Sequence, residues 1–213
     1  MPPSLEDRPV PNLGAYTSGG FSRGRPVVVE LLWIVLQALF VSSFLPGSWH
    51  RRLLLRAFGA RIGARVVLKP GVRVKFPWRL AIGDNSWIGE LAWIDNLAQV
   101  TIGADCCVSQ GAYLCTGSHD WSQPGFDLVT GPITLEPGAW VAARACVGPG
   151  VTLRRGAVLG LGGVAGRNLE AWTIYAGVPA VAVKQRTIAG AERNVINAGA
   201  TGLRDNQGEP RDA

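Results

Sequence analysis

Residues 82–118 read IGDNSWIGELAWIDNLAQVTIGADCCVSQGAYLCTGS. An aliphatic side chain returns there at every sixth position. Ile82, Ile88 and Ile94 form one set, and Ile102, Val108 and Leu114 form the next, with Val100-Thr101 as a connector. The pattern extends upstream through Ile62, Leu68 and Val74. Downstream it takes in Leu135, Val141, Val147, Leu153 and Leu159, and it weakens at Ala165 and Ala171. Glycine often follows the aliphatic residue (Gly63, Gly83, Gly89, Gly103), and the fifth slot is small (Ser86, Ala92, Ala98, Cys106, Ala112). Six-residue periodicity is the signature of a parallel β-helix. Each hexad is a short strand that sends one aliphatic side chain inward, followed by a turn of about 120°. Three hexads close one coil, and stacked coils bury their aliphatics in ladders.

The coils divide as Ile62–Arg79, Ile82–Gln99, Ile102–His119, Leu135–Thr152 and Leu153–Glu170, with two-residue connectors at Leu80-Ala81, Val100-Thr101 and Ile133-Thr134. Residues 120–132, DWSQPGFDLVTGP, break the period and read as a loop inserted at a coil corner. The expected fold is all-β: a parallel β-helix of about five triangular coils spanning 59–185. A helical segment precedes it and a short C-terminal cap follows.

Residues 1–25 are rich in Pro, Gly, Ser and Asn and read as an extended, disordered arm. Residues 26–58 read as an apolar helical cap. Within them, 27–45 (VVVELLWIVLQALFVSSFL) could cover the open end of the column. Two other readings stand beside that one: a helix lying on a membrane surface with Arg51, Arg52 and Arg56 as anchors, and a span, against which Glu30, Gln37, Ser42 and Ser43 argue. Residues 186–213 turn polar and read as a partly disordered tail.

The chain has 213 residues, a hydrophobic fraction of 47% and a formal net charge of +6. One sizeable core fits that length. The positive balance favours anionic partners, but the basic residues are dispersed and no nucleic-acid motif is present. Cys106, Cys107, Cys115 and Cys146 include no CxxC pair and read as small, reduced thiols. With no leader pattern at the N-terminus, a cytoplasmic protein is expected, and the inner face of the cytoplasmic membrane is a further option that the apolar helix leaves open.

Three segments carry a family resemblance: VTIGADCCVSQGAYLCTGSHDW (100–121), GAWVAARACVGPGVTL (138–153) and IYAGVPAVAVK (174–184). With the repeat, they resemble the hexapeptide-repeat acyltransferases. The match is to sugar O-acetyltransferases of the maltose, galactoside and nodulation type, and within them to the colanic-acid biosynthesis acetyltransferases. The resemblance implies a left-handed β-helix, acetyl-CoA as co-substrate, a homotrimer, and active sites in clefts between subunits.

It also assigns residues. His119 falls at the family's general-base histidine; a neutral imidazole can take the proton of a hydroxyl as it attacks a thioester. His50, the other histidine, reads as a surface residue. Asn96 and Asp95 are the acceptor candidates, although the family places an acidic residue near this point and the register favours Asn96. The group orienting His119 is open among Asp120, Asp127 and a backbone carbonyl. Trp121, on the inserted loop, is a candidate sugar platform. For the cofactor, Trp140 matches a tryptophan beside the cleft, and Ala143 and Leu161 match positions that hold pantetheine through backbone groups. Gly166 and Arg167 match a turn near the nucleotide, and Lys184 a basic residue that meets phosphate. The family often has arginine where Val181 stands, and Arg154, Arg155 or Arg186 could replace it.

Other readings compete with sugar O-acetylation. An N-acetyltransferase acting on an amino sugar would use the same base. A non-catalytic scaffold would leave His119 without a task. A zinc carbonic anhydrase with this repeat would need three histidines, and the chain has two. No metal is expected.

Overall fold

The structure is a computed structural model describing residues 10–189. The hexads form three parallel sheets around one core. The first face stacks Arg61–Ile62, Leu80–Ile82, Val100–Ile102, Ile133–Leu135 and Thr152–Leu153. The second stacks Val67–Leu68, Trp87–Ile88, Cys107–Val108, Trp140–Val141, Val158–Leu159 and Thr173–Ala176. The third stacks Arg73–Val74, Trp93–Asp95, Tyr113–Cys115, Cys146–Val147 and Val164–Ala165.

The registers place the repeat aliphatics in ladders. Ile62, Ile82, Ile102, Leu135 and Leu153 lie in line on the first face. Leu68, Ile88, Val108, Val141 and Leu159 do so on the second, and Val74, Ile94, Leu114, Val147 and Ala165 on the third. All are buried. Each such Leu, Ile or Val contributes about 1.5–3 kcal/mol relative to an exposed position.

The column has about six turns rather than five. The sixth begins where Leu169 bridges to Leu153 and continues as Thr173–Ala176 on the second face. Leu169, fully buried in line with Leu153, fills the first-face slot two residues before the exposed Ala171, so this turn falls out of the strict six-residue count. Val181–Gln185 then folds back antiparallel on Thr173–Ala176.

The corners require left-handed backbone. Arg65, Asn85 and Asp105 occupy one corner at φ 53°, 60° and 56°, and Gly138 and Gly156 take it over in later coils. Arg65 Nε donates to Asn85 Oδ1 at 2.7 Å, and Asn85 Nδ2 donates to Asp105 Oδ1 at 2.9 Å. Asn and Asp tolerate this conformation better than most residues. Gly83 answers a different demand. A Cβ there would lie 2.5 Å from the Ala104 nitrogen in the next coil, so glycine is what lets the coils approach.

The open N-terminal end carries unpaired backbone groups that need partners. Helix α1 (Val27–Leu36), a wider turn at Gln37–Val41, and helix α2 (Trp49–Ala57) supply them. Trp33 Nε1 donates to the Val74 carbonyl at 2.8 Å, and the Val74 N–H donates to Gln37 Oε1 at 2.6 Å. Arg52 donates to the Val66 carbonyl at 2.9 Å, and Arg56 to that of Ile62 at 2.7 Å. Arg51 is fully buried, and donates to the carbonyls of Val41, Ser43, Leu45 and Gly47, which fixes the turn between the helices. His50, read as a surface residue, is half-buried in the first turn of α2. Among the described residues no helix is long and apolar enough to cross a membrane.

Two segments differ from expectation. Residues 10–25 are docked rather than free. The Asn12 N–H donates to the Pro124 carbonyl at 2.8 Å, and the Thr17 N–H to Asp127 Oδ1 at 2.8 Å. Trp78 Nε1 donates to the Arg23 carbonyl at 2.8 Å. Residues 120–132 are partly a hairpin: Leu128–Thr130 pairs antiparallel with Gly117–His119, setting His119 opposite Leu128. The readings for residues 1–9 and 190–213 lie outside the described residues.

Candidate active site

His119 stands where the chain leaves the column for the inserted hairpin. Its Nδ1 lies 2.9 Å from the Phe126 carbonyl oxygen. A carbonyl can only accept, so Nδ1 carries a proton, and in the neutral imidazole the lone pair is then on Nε2. Of the three orienting groups left open by the sequence, the structure supplies the backbone carbonyl. Phe126 has φ 51°, and this left-handed turn also lays its ring on the imidazole, with centroids 4.5 Å apart and planes within 5°. Tyr16 approaches from the docked N-terminal segment, its ring centroid 5.9 Å from that of His119.

A cleft of about 410 Å³ opens here, lined by Tyr16, Ser18, Phe21, Arg23, Lys75, Phe76, Leu97, His119 and Leu128. Four of these come from the N-terminal segment. Their only sequence signal was a pair of aromatic residues, Tyr16 and Phe21, within a Pro/Gly-rich arm.

The acceptor candidates are placed differently. Asp95 borders the cleft through Lys75, whose Nζ lies 3.3 Å from Asp95 Oδ1 as an ion pair without hydrogen-bond geometry. The Tyr113 hydroxyl donates to Asp95 Oδ2 at 3.1 Å. Burial, then the Cys115 thiol and the Asp95 charge, push the Tyr113 hydroxyl well up, so it remains a proton donor. Asn96 is fully buried. Its Oδ1 accepts from the Phe76 N–H at 2.9 Å, and its Nδ2 donates to the carbonyls of Phe76 at 2.7 Å and Arg79 at 3.0 Å. That amide is fully engaged in holding the coil corner. Trp121 is 80% exposed on the hairpin. None of the three lines the cleft.

A second groove, about 450 Å³, runs along the second face and does gather cofactor candidates. Trp140, Ala143 and Leu161 line it with Ser109, Gln110, Ala142, Val158, Gly160, Ile174 and Arg186. Strand alternation explains Trp140: Val141 points inward, so its neighbour points out. Trp140 Nε1 donates to Ser109 Oγ at 2.9 Å, which fixes the ring. Arg186 donates to the carbonyls of Gly138 at 2.8 Å and Gly156 at 3.0 Å, holding its guanidinium at the groove. Lys184 is exposed, opposite groove-lining Ile174 in the terminal hairpin. Gly166 and Arg167 follow the third-face strand Val164–Ala165 and are exposed outside the groove lining. Arg154 pairs with Glu170 at 3.3 Å instead. The His119 cleft and the Trp140 groove share no residue and lie on different sides of the column. Among the described residues no cluster of three or more His, Cys, Asp or Glu is placed to hold a metal ion.

No family model matches the chain. The putative colanic acid biosynthesis acetyltransferase WcaF of Escherichia coli K12 is 38% identical over 167 residues, spanning 78% of this chain and 92% of that protein. Galactoside O-acetyltransferase of Escherichia coli K12 is 25% identical over 140 residues, 63% of this chain and 68% of the relative. Among solved structures, a hexapeptide-repeat acetyltransferase of Vibrio cholerae O1 biovar eltor, complexed with acetyl coenzyme A, has a TM-score of 0.68 at 20% identity, over 76% of this chain and 89% of that one. Galactoside acetyltransferase in complex with coenzyme A gives 0.67 at 22%, over 76% and 82%. These two structures speak to the fold; the identity to WcaF, extending over nearly all of that protein and including the segment that carries His119, speaks to kinship. The chain belongs to the WcaF family of hexapeptide-repeat acetyltransferases.

Proposed function

We propose that this protein moves an acetyl group from acetyl-CoA to a sugar hydroxyl in the building of an exopolysaccharide or another cell-surface glycan, with His119 as general base. One observation carries the reading: the Phe126 carbonyl fixes the Nδ1–H tautomer of His119 and leaves Nε2 able to accept a proton beside an open cleft.

Acetyl-CoA, when bound, supplies an acetyl group already activated as a thioester, so no acyl-enzyme is required. The Trp140 groove fits an extended pantetheine arm. It is mostly apolar, Trp140 and Leu161 flank it, and the N–H groups of Ala143 and Leu161 are not paired with a backbone carbonyl. Arg186 and Lys184 offer positive charge for phosphate at its terminal side; Gly166 and Arg167 would meet the nucleotide only beyond it. In the other cleft, Tyr16 and Phe21 give a sugar ring apolar faces, and Ser18, Arg23 and Lys75 give its hydroxyls partners. Asp95 acts there by holding Lys75, and Trp121 extends the rim. His119 Nε2 takes the hydroxyl proton during attack and yields it to the departing thiolate.

One chain does not bring imidazole and groove together. A homotrimer would, with the His119 corner of one copy facing the groove of the next. Dependence on acetyl-CoA places the reaction in the cytoplasm. The test offers acetyl-CoA with hydroxyl sugars and amino sugars, and follows thiol release and product mass. An acetyl ester on a hydroxyl sugar is expected. An amide as the sole product would replace this reading with N-acetylation, and a monomer in sedimentation would remove the shared site.

A further inference from the structure

Helix α1 is apolar on the wrong side for a cap facing water. Between Val27 and Val41 the only polar side chains are Glu30 and Gln37. Both are turned toward the protein: Glu30 pairs with Arg23 at 2.7 Å, and Gln37 accepts from the Val74 N–H. Trp33 and Val41 are fully buried on that same side. The outward side is Val28, Leu31, Leu32, Val35 and Leu39, each at least half exposed. Phe44 at 81%, Trp49 at 67% and Leu53 at 59% continue the surface across the turn into α2. A water-facing helix presents polar residues outward, whereas a helix apolar all round is enclosed by protein or lipid. Isolated exposed apolar residues are ordinary, but a continuous surface of this kind marks a contact.

The charge around the surface identifies the contact. Residues 23–61 hold six arginines (Arg23, Arg25, Arg51, Arg52, Arg56, Arg61) and a single carboxylate, Glu30. The arginines of the chain are dispersed; the carboxylates are what this segment lacks, and it carries most of the net charge of +6. Arg25 and Arg61 are exposed at the two ends of the segment that holds both helices, and Arg56 on α2 is exposed as well, though its guanidinium also donates to the Ile62 and Gly63 carbonyls. Two copies meeting face to face would bring these arginines against one another. An anionic bilayer would instead receive the apolar side chains among its acyl chains and the guanidinium groups among its phosphates. Trp49 and Phe44 are residue types suited to that boundary.

We propose that the outward face of α1, continued by Phe44, Trp49 and Leu53, docks this protein onto the surface of an anionic membrane. The helix lies in the interface plane and does not cross. The contact is independent of the acetyl-transfer reading and would hold for a chain with no catalytic activity.

The test is co-sedimentation of the full chain with vesicles of phosphatidylcholine alone and of phosphatidylcholine with phosphatidylglycerol in equal parts, at low and high salt. Partition into the anionic vesicles is expected, at least about tenfold above neutral ones at low salt and reduced by salt. The double variant Leu32→Glu/Val35→Glu alters only exposed positions. It should lose vesicle binding while keeping its β-rich circular dichroism and its acetyl-transfer rate without vesicles. Equal binding to both vesicle types, or vesicle binding by the variant at the original level, would overturn the proposal. So would failure to bind vesicles together with self-association that the same variant abolishes.

Discussion

His119 and Phe126 are joined twice, once through the imidazole Nδ1–H and the Phe126 carbonyl, and once through the parallel stacking of their rings. The first contact sets the tautomer and the second sets the ring plane, and both come from a single residue in left-handed backbone. His119→Ala is expected to lower acetyl-transfer turnover by about 10²–10⁴-fold while coenzyme A affinity stays unchanged. Phe126→Gly keeps the turn and the carbonyl but removes the stacked ring, and should give an intermediate loss. Calorimetric titration with coenzyme A beside steady-state turnover checks both, and near-normal turnover of the alanine variant would end the general-base assignment.

The docked N-terminal segment makes a different demand. Asp127 Oδ1 accepts from the Thr17 N–H, and that contact helps to hold Tyr16 beside His119. Asp127→Ala should raise the acceptor KM by about tenfold, in line with a lost charge-assisted hydrogen bond, and leave the acetyl-CoA KM unmoved. Varying each substrate separately distinguishes the two.

Asn96 and Asp95 are adjacent in sequence but not in role. Asn96→Ala strands the Phe76 N–H and two carbonyls inside the column. It should cost about 2–4 kcal/mol of stability, seen as a depressed melting temperature. Asp95→Asn keeps the shape and should leave melting nearly unchanged while altering acceptor kinetics through Lys75. A thermally neutral Asn96→Ala would contradict the corner role seen here.

Two glycines test what glycine does in this column. At Gly83 an added methyl meets the backbone of the next coil at 2.5 Å. Gly83→Ala should force adjacent coils apart, at a cost of about 1–3 kcal/mol or more. Gly150 has φ 77° but open space around its Cβ position, so Gly150→Ala should cost only about 1 kcal/mol, from the backbone alone. Denaturant midpoints for the two variants should rank in that order.

The column was legible because its core obeys one arithmetic rule. Ile82, Ile88 and Ile94 announce three faces, and the two-residue connectors announce a coil step of twenty. The sixth turn was hidden because that rule counts in sixes and points to Ala171, whereas the chain fills the slot two residues early, with Leu169. Trp140, Ala143 and Leu161 could be found together because each occupies a set place in the repeat. Tyr16 and Arg23 could not, since they reach the cleft by a non-repetitive path, with contacts as far off in sequence as His119 for Tyr16 and Trp78 for Arg23. Asn96 misled for a related reason. Its position beside Asp95 was readable, but the direction of its amide depends on the Pro77–Arg79 turn folding over it.

The reversal at Val181–Gln185 bears on how the molecule avoids polymerising. A stack of parallel strands ends in a row of unsatisfied amides and carbonyls, a template onto which another stack could dock and propagate as a fibre. Here the last second-face strand is overlaid by a strand running the opposite way, which a parallel newcomer cannot continue. Arg186 fastens that strand by reaching back to the carbonyls of Gly138 and Gly156. Arg186, which borders the groove, therefore also helps to guard the polypeptide against end-to-end aggregation.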